Sequence, residues 1–422
     1  MKNRKELRSV AMFALALSLS SAFVLFGCGA AQAASGQTIT QTLTQSADET
    51  AAAEEGSLLD QLFTARDLEQ EPDLDEAVTL AVSDGKTLTI TEAGVYRVQG
   101  SARNASIVVD AADDAKVQLV LDGVSIVNCD FPAIYVKSAD KVFVTTISDS
   151  SLSVTGSFTQ DGDTNTDGVI FSKDDLTLNG TAKLSISSGD NGVVSKDDLK
   201  VTGGSYEITA SSKCFEANDS IRISGGSFAL KAGTDALHAE NEEDQSLGNI
   251  YILGGEFTIV AGDDGVHANG LLQIEDGSLN IQASEGLEAT YVLVNGGSIA
   301  ISASDDGINA ARKSNAYTPT VEINGGEISI SMGTGDTDGI DSNGNVIITG
   351  GTVSVTGSSA FDYDGTASFT GGTVYVNGQQ VSTLPNQMMG GGMGGMGGFG
   401  GGQGGGPGMG GGFGGGRGGW GH

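Results

Sequence analysis

A glycine-centred turn returns through this chain at short, nearly regular intervals, and that recurrence restricts the fold more than any other feature. It appears as Gly203-Gly204, Gly225-Gly226, Gly254-Gly255, Gly296-Gly297, Gly325-Gly326, Gly350-Gly351 and Gly371-Gly372. An alternating apolar pair precedes the turn, as in Ile221/Ile223, Ile250/Ile252, Val292/Val294 and Val346/Ile348. Another follows it, as in Phe228/Leu230, Phe257/Ile259, Ile299/Ile301 and Val353/Val355. Period-two alternation places each pair on one face of a strand, and glycine suits a corner that needs positive φ. Most units run to about 21–23 residues, the length of one-coil repeats. Leucine-rich repeats share that length, but their Leu-x-x-Leu-x-Leu pattern is absent, and a propeller blade needs roughly 40 residues. The pattern predicts an all-β chain, a right-handed parallel β-helix with three short strands per unit, inward columns of Ile, Val, Leu and Phe, and a cap at each end.

Aligning the units on their acidic corner brings out a third short strand. Its inward positions are Val193, Phe215, Leu237, Val266, Leu287, Ile308, Ile340 and Phe361, each followed two residues later by a small side chain in most units. The residue between must point outward, and down the stack it reads Glu216, His238, His267, Glu288, Asn309, Asp341 and Asp362. Three residues before it stand Lys213, Asp235, Asp264, Glu285, Asp306 and Asp338. Carboxylates stacked at about 5 Å repel one another unless a cation intervenes, and calcium takes 6–8 oxygen ligands in flexible geometry. The expected calcium ligands are Asp263, Asp264, Glu285, Glu288, Asp305, Asp306, Asp338 and Asp341. Expected around them as ligand-binding groups are Glu216, Asp235, His238, His267, Asn309 and Tyr317. Zinc fits less well, because the chain has 3 histidines, one of them the terminal His422, and no thiolate near the column. The plainer alternative is a solvated acidic edge in which Asp-Gly only makes the turn.

Insertions collect on the same face. Glu240 to Asn249 and Arg312 to Thr320 leave the stack just after the outward column, while Phe158 to Thr166 and Gly333 to Thr337 enter just before it. Insertions on one side of a repeat fold often frame its binding surface. Tyr291, Tyr317 and Tyr363 lie in or beside this region and could stack on sugar rings.

Four segments follow from composition. Residues 1–28 read as a lipoprotein signal: Lys2, Arg4, Lys5 and Arg8, an apolar run to Phe26, then Leu25-Phe26-Gly27-Cys28 as a lipobox with Cys28 lipidated. The alternative is an ordinary secretory signal cleaved after Ala33 or Ala34, and either way the protein leaves the cytoplasm. Residues 29–77 read as a linker with a short amphipathic helix over Ser57–Glu69. Residues 78–384 form the repeat body, and 385–422 a Gly/Met/Phe-rich tail with too little side-chain surface for a core. With 53 acids against 21 bases and a formal charge of −32, the surface repels nucleic acid and anionic lipid. Membrane contact is therefore expected only through the lipid, and the protein is expected to be a monomer. Cys129 and Cys214 fall too far apart in the stack to bond.

Three further segments match a known family in order. Gly94-Val-Tyr-Arg-Val-Gln-Gly100, Val117-Gln-Leu-Val-Leu-Asp-Gly-Val-Ser-Ile126 and Ala133-Ile-Tyr-Val-Lys-Ser-Ala-Asp-Lys141 resemble the bacterial carbohydrate-binding domain-containing lipoproteins whose β-helix is similar to that of family-nine pectate lyases. The likeness runs from about Thr79 to Val381. It implies calcium-dependent binding of polysaccharide at the cell surface, either cellulose-like or acidic plant glycans such as polygalacturonate. Two other functions compete. A lyase would use calcium to neutralise a uronate while a base removes the C5 proton, and Lys213, beside Glu216 and Asp235, is the candidate base. An open lyase groove also needs cations for the substrate, and the flank offers only Arg222, Lys231 and Arg312. A structural adhesin without sugar specificity is the third reading.

Overall fold

Strand after strand here alternates exposed and buried side chains, as the sequence pattern requires. Ser227–Ala232 and Ser278–Ala283 each read exposed, buried, three times over. The computed structural model describes residues 56–386 apart from Asp336, all within a single unit. Among the described residues 34 strands join one sheet and a single helix is present. Ser220–Ile223 pairs with Asn249–Ile252, Ser227–Ala232 with Glu256–Val260, and Leu237–Ala239 with Asp264–Ile274, each in parallel. The same three-column pairing recurs from unit to unit. Inward side chains of all three columns meet in one buried cluster, in which Ile221, Phe228 and Leu237 are at most 2% exposed. Each such side chain contributes about 1.5–3 kcal/mol by leaving water.

Two glycine columns do different work. The second glycine of the turn has positive φ in unit after unit, +86° at both Gly297 and Gly326. The glycines after the corner acids do not. At Gly307 a Cβ would lie 2.4 Å from the carbonyl oxygen of Gly339 one unit on, and at Gly286 it would lie 2.4 Å from that of Gly307. Asp-Gly is thus more than a turn pair here, because its glycine lets successive acid-bearing backbones stack in contact.

At the N-terminal end the helix covers only Leu58–Leu62, capped by Ser57 and Asp60, so it is shorter than the stretch to Glu69. The chain turns extended at Phe63 because the next residues have other partners. Thr64 and Asp67 bond each other reciprocally, and Asp67, 0% exposed, meets Lys141 Nζ at 3.0 Å and Lys200 Nζ at 3.2 Å. Burial pushes the Asp67 pKa up, but the Thr64 hydrogen bond and both ammoniums outweigh it and hold the carboxyl far below its usual range. At the other end, Thr373–Val376 pairs antiparallel with Gln379–Val381 and so ends the parallel stacking of its column. Cys129 and Cys214 are both free. No described helix is long and apolar enough to cross a membrane. The expected signal and Cys28, the linker up to residue 55 and the tail from 387 onward lie outside the described residues.

Candidate functional site

The third column carries the site, and its register can be followed rung by rung. Glu216 pairs with His238, His238 with His267, His267 with Glu288, Glu288 with Asn309, Asn309 with Asp341 and Asp341 with Asp362. The second column is also in line. Asp264 pairs with Glu285, and backbone bonds run from Gly286 to Asp306 and from Gly307 to Asp338. Flanking Val266, Leu287 and Ile308 are fully buried, so their inward packing turns the intervening side chain outward.

Two imidazoles occupy the middle of this face. The rings of His238 and His267 stack at 4.6 Å. His238 Nδ1 is 2.8 Å from Asp235 Oδ2 and its Nε2 is 3.2 Å from Glu240. His267 Nδ1 lies 2.7 Å from both Asp264 Oδ2 and Glu288 Oε2. These three are a convergent donor set, with one ligand atom from each within 4.8 Å of the others. Burial pulls the His267 pKa down, but the hydrogen bonds it donates to Asp264 and Glu288, and the charges of those carboxylates, raise it to about 10, so the ring is an imidazolium at neutral pH. Burial opposes ionisation of Glu288, yet His267 and Lys313, whose Nζ is 2.8 Å from Oε1, bring its pKa down to about 2.

Below the imidazoles, burial and mutual repulsion dominate the acids. Burial, then repulsion from Glu288, Asp264 and Asp306, takes Glu285 up to about 8 even though Asn309 Nδ2 donates to it at 2.9 Å. Burial and the charges of Asp341, Asp305 and Asp338 push Asp306 up to about 7. Burial, Asp338 and Asp362 push Asp341 to about 6. Asp338 accepts a hydrogen bond from Ser359 and its own N–H donates to Asp306. Asn309, 8% exposed, has a buried Oδ1 with no hydrogen-bond partner among the described residues. Glu285, Asp306, Asp338 and Asp341 therefore form a run of mutually repelling carboxylates, with the unpartnered amide oxygen on Asn309, whose Nδ2 meets Glu285.

Other expected residues fall around this centre. Asp263 and Asp305 precede the column and stay exposed. Lys213 Nζ is 3.4 Å from Glu216, which also binds Lys196 at 2.8 Å and Asn191 at 3.1 Å. Tyr317 sits on the neighbouring flank, 6.2 Å from Tyr291 and against Gly270. There the two long insertions touch, Asn315 Nδ2 donating to Gln245 at 2.8 Å.

The short inventory of flanking cations needs correction. Arg222 pairs with Asp198, and Lys231 and Arg312 are exposed, whereas Lys196 and Lys313 bond Glu216 and Glu288 of the column. Upstream, the same outward position changes character. Val108 pairs with Tyr135, Tyr135 with Phe171, Phe171 with Val194 and Val194 with Glu216. Val108, Tyr135, Phe171 and Val194 form a second apolar cluster outside the main core, joined by Phe131. The outward polar signal does not extend to this stretch, because those units carry an apolar residue where the later ones carry a polar or charged one.

Comparisons with known proteins place the chain in context. The family model described as carbohydrate-binding domain-containing protein matches residues 84–337 and 284–381. A protein of that description from Acetivibrio thermocellus is 33% identical over 136 residues, 31% of this chain and 47% of the relative, so the match spans about half the relative's length. A polysaccharide lyase-like protein from C. thermocellum, solved as a gadolinium derivative, aligns over 71% of this chain and 96% of its own at 23% identity and a TM-score of 0.40.

Proposed function

This chain belongs to the carbohydrate-binding domain-containing family, and from that premise we propose that it binds polysaccharide along the outward column from Glu216 to Asp362 with the help of calcium. One observation carries the reading: Glu285, Asp306 and Asp341 are all raised by burial and repulsion from neighbouring acids, on the stretch where Asn309 pairs with Asp341 and leaves its Oδ1 unpartnered. That is an all-oxygen donor set, which suits a hard cation. Glu285, Asp306, Asp338 and Asp341 would have to close around it, since the group already convergent in the structure is Asp264, His267 and Glu288, with Asp264 and Glu288 available only if the His267 imidazolium gives way. When bound, calcium would neutralise the acids and offer coordination positions to sugar hydroxyls or carboxylates. The histidine pair and Asn309 would orient the chain by hydrogen bonding, and Tyr317 would extend the contact onto the flank. Cellulose-like chains and polygalacturonate are the glycans to test first.

The architecture that goes with this reading is a right-handed parallel β-helix. The recurring parallel pairing of three columns supports it, and parallel crossovers are right-handed in nearly all known cases. The protein would act at the bacterial surface, lipid-anchored through Cys28.

Retention on polygalacturonate and on insoluble cellulose, in calcium and then in chelator, tests the reading. Retention should be strong in calcium and weaken in chelator. Asp306→Asn with Asp341→Asn should lose the calcium-dependent part while leaving the fold intact. Calcium should also raise the melting temperature by binding only the folded state. Failure of calcium to change either melting or retention would refute its role. No unsaturated uronide should form, and Lys213→Ala should bind like wild type. Product that vanishes in Lys213→Ala would replace this reading with a lyase.

A further inference from the structure

Two residues past the outward column, the three units above Glu216 carry lysine each time. The Lys173 N–H bonds the carbonyl of Val136 at 3.1 Å and the Lys196 N–H that of Ser172 at 2.9 Å, which continues the register Val136–Ser172–Ser195. Lys137, Lys173 and Lys196 therefore occupy one position on three successive rungs, spaced by about 4.8 Å. Below them the same position is taken by Asn218 and Glu240, so the basic run ends where the acidic column begins.

These lysines are built into the surface. Lys137 Nζ lies 5.9 Å from the Tyr135 ring centroid and Lys196 Nζ 5.8 Å from that of Phe171. Both rings are 1% exposed. The apolar stems help to cover the aromatic stripe while the ammonium groups, on side chains 36% and 32% exposed, reach water. The arrangement holds three positive charges in file in a chain of formal charge −32.

Carboxylates already sit on this file. Asp161, on the insertion before Gly168–Ser172, places Oδ2 3.1 Å from Lys137 Nζ and 3.1 Å from Tyr135 Oη, and also feels the charge of Lys173. Its side chain is 40% exposed. Glu216 takes Lys196 from below. Thus the protein itself shows that a carboxylate fits between Lys137 and Tyr135 at hydrogen-bond distance, on a loop whose displacement would free that place.

We propose that Lys137, Lys173 and Lys196 form a calcium-independent rail for the uronate carboxylates of an acidic polysaccharide, continuing the acidic column's path upward, with Asp161 as the internal competitor. This rests on the polysaccharide-binding reading above and deepens it. The lower half of the path would hold a uronate chain through metal and the upper half through ammonium groups directly. A neutral glucan would gain nothing from the rail.

The test uses the full chain on polygalacturonate, dextran sulfate and cellulose, in calcium and in chelator at low salt. Wild type should keep measurable polygalacturonate binding in chelator, and salt should abolish it. Lys137→Gln/Lys173→Gln/Lys196→Gln should reduce that residual binding by about tenfold or more, through loss of charge-assisted contacts, and Lys137→Gln/Lys173→Gln, which leaves the Glu216 partner in place, should keep cellulose binding unchanged. The corresponding triple arginine variant should retain it, which separates lost charge from lost packing. Asp161→Asn should move the other way and tighten binding in chelator. Wild-type binding in calcium with none in chelator overturns the rail alone. Absence of binding in both overturns the underlying reading as well. A triple glutamine variant that binds like wild type, or an Asp161→Asn variant that binds less well, overturns the rail, and preference for dextran sulfate overturns the uronate assignment.

Discussion

The outward position of the third strand column has two chemistries on one backbone. From Val108 to Val194 it is apolar and buried, the rings of Tyr135 and Phe171 meeting edge-on at 5.8 Å. From Glu216 to Asp362 it is ionisable, with stacked imidazoles above a group of mutually repelling acids. The inward neighbours barely change across the boundary: Ile134, Ile170, Val193, Phe215, Leu237 and Val266 are all fully buried. The fold thus depends on the inward set, which leaves the outward set free to be apolar and buried in one half and ionisable in the other.

That division is open to attack, beginning with the half that should matter most for stability. Phe171→Ala should cost about 3–5 kcal/mol in urea unfolding, the usual loss for a buried phenylalanine. A cost under about 0.5 kcal/mol, the range typical of exposed sites, would mean that the upper stripe is surface and the two halves are alike. Next comes His267→Ala, which removes the cation between Asp264 and Glu288 and should cost about 2–3 kcal/mol at neutral pH. The variant should regain part of that stability in acid, and an unchanged melting point would show that the imidazolium holds nothing in place.

The acids below should behave in the opposite sense. Glu285, Asp306 and Asp341 have folded-state pKa values of about 8, 7 and 6, above those of the unfolded chain. Between the unfolded and folded values the native state binds more protons, so metal-free protein should lose stability as pH rises from about 4 to 8. Saturating calcium should flatten this slope. A metal-free stability curve that climbs over that range would contradict the grouping. The smallest effect is expected from Asp341→Asn in metal-free protein near pH 7, a gain of up to about 1 kcal/mol once solvent screening is allowed for. A loss measured by thermal unfolding would show that Asp341 has a favourable partner after all.

What could be read from the sequence follows from the period of the strand. Alternation and recurring glycine pairs located the outward column from Glu216 to Asp362 and the acids beside it, because each unit repeats the same polar signal. Gly168–Ser172 carries none, since all five of its residues are buried, and so Phe171 reads as ordinary core. The lysines two residues on were hidden with it. Asp67 was invisible for another reason: its partners Lys141 and Lys200 lie 74 and 133 residues away, and no periodicity links a single-copy segment to the repeats it binds. The double contact of His267 with Asp264 and Glu288 joins an i, i+3 pair to the next rung, so spacing could suggest proximity but not convergence on one nitrogen.

The corner glycines have an evolutionary consequence. Since Gly286, Gly307 and Gly339 let neighbouring corners touch through backbone alone, any unit with glycine there can lie beside any other. Tandem duplication of a single unit would then insert one more rung and leave both termini as they were. The descendant would inherit an added outward side chain and an added corner acid at the existing spacing. The number of outward ionisable positions is in this sense a copy number, which unequal recombination can raise or lower without a new fold having to arise.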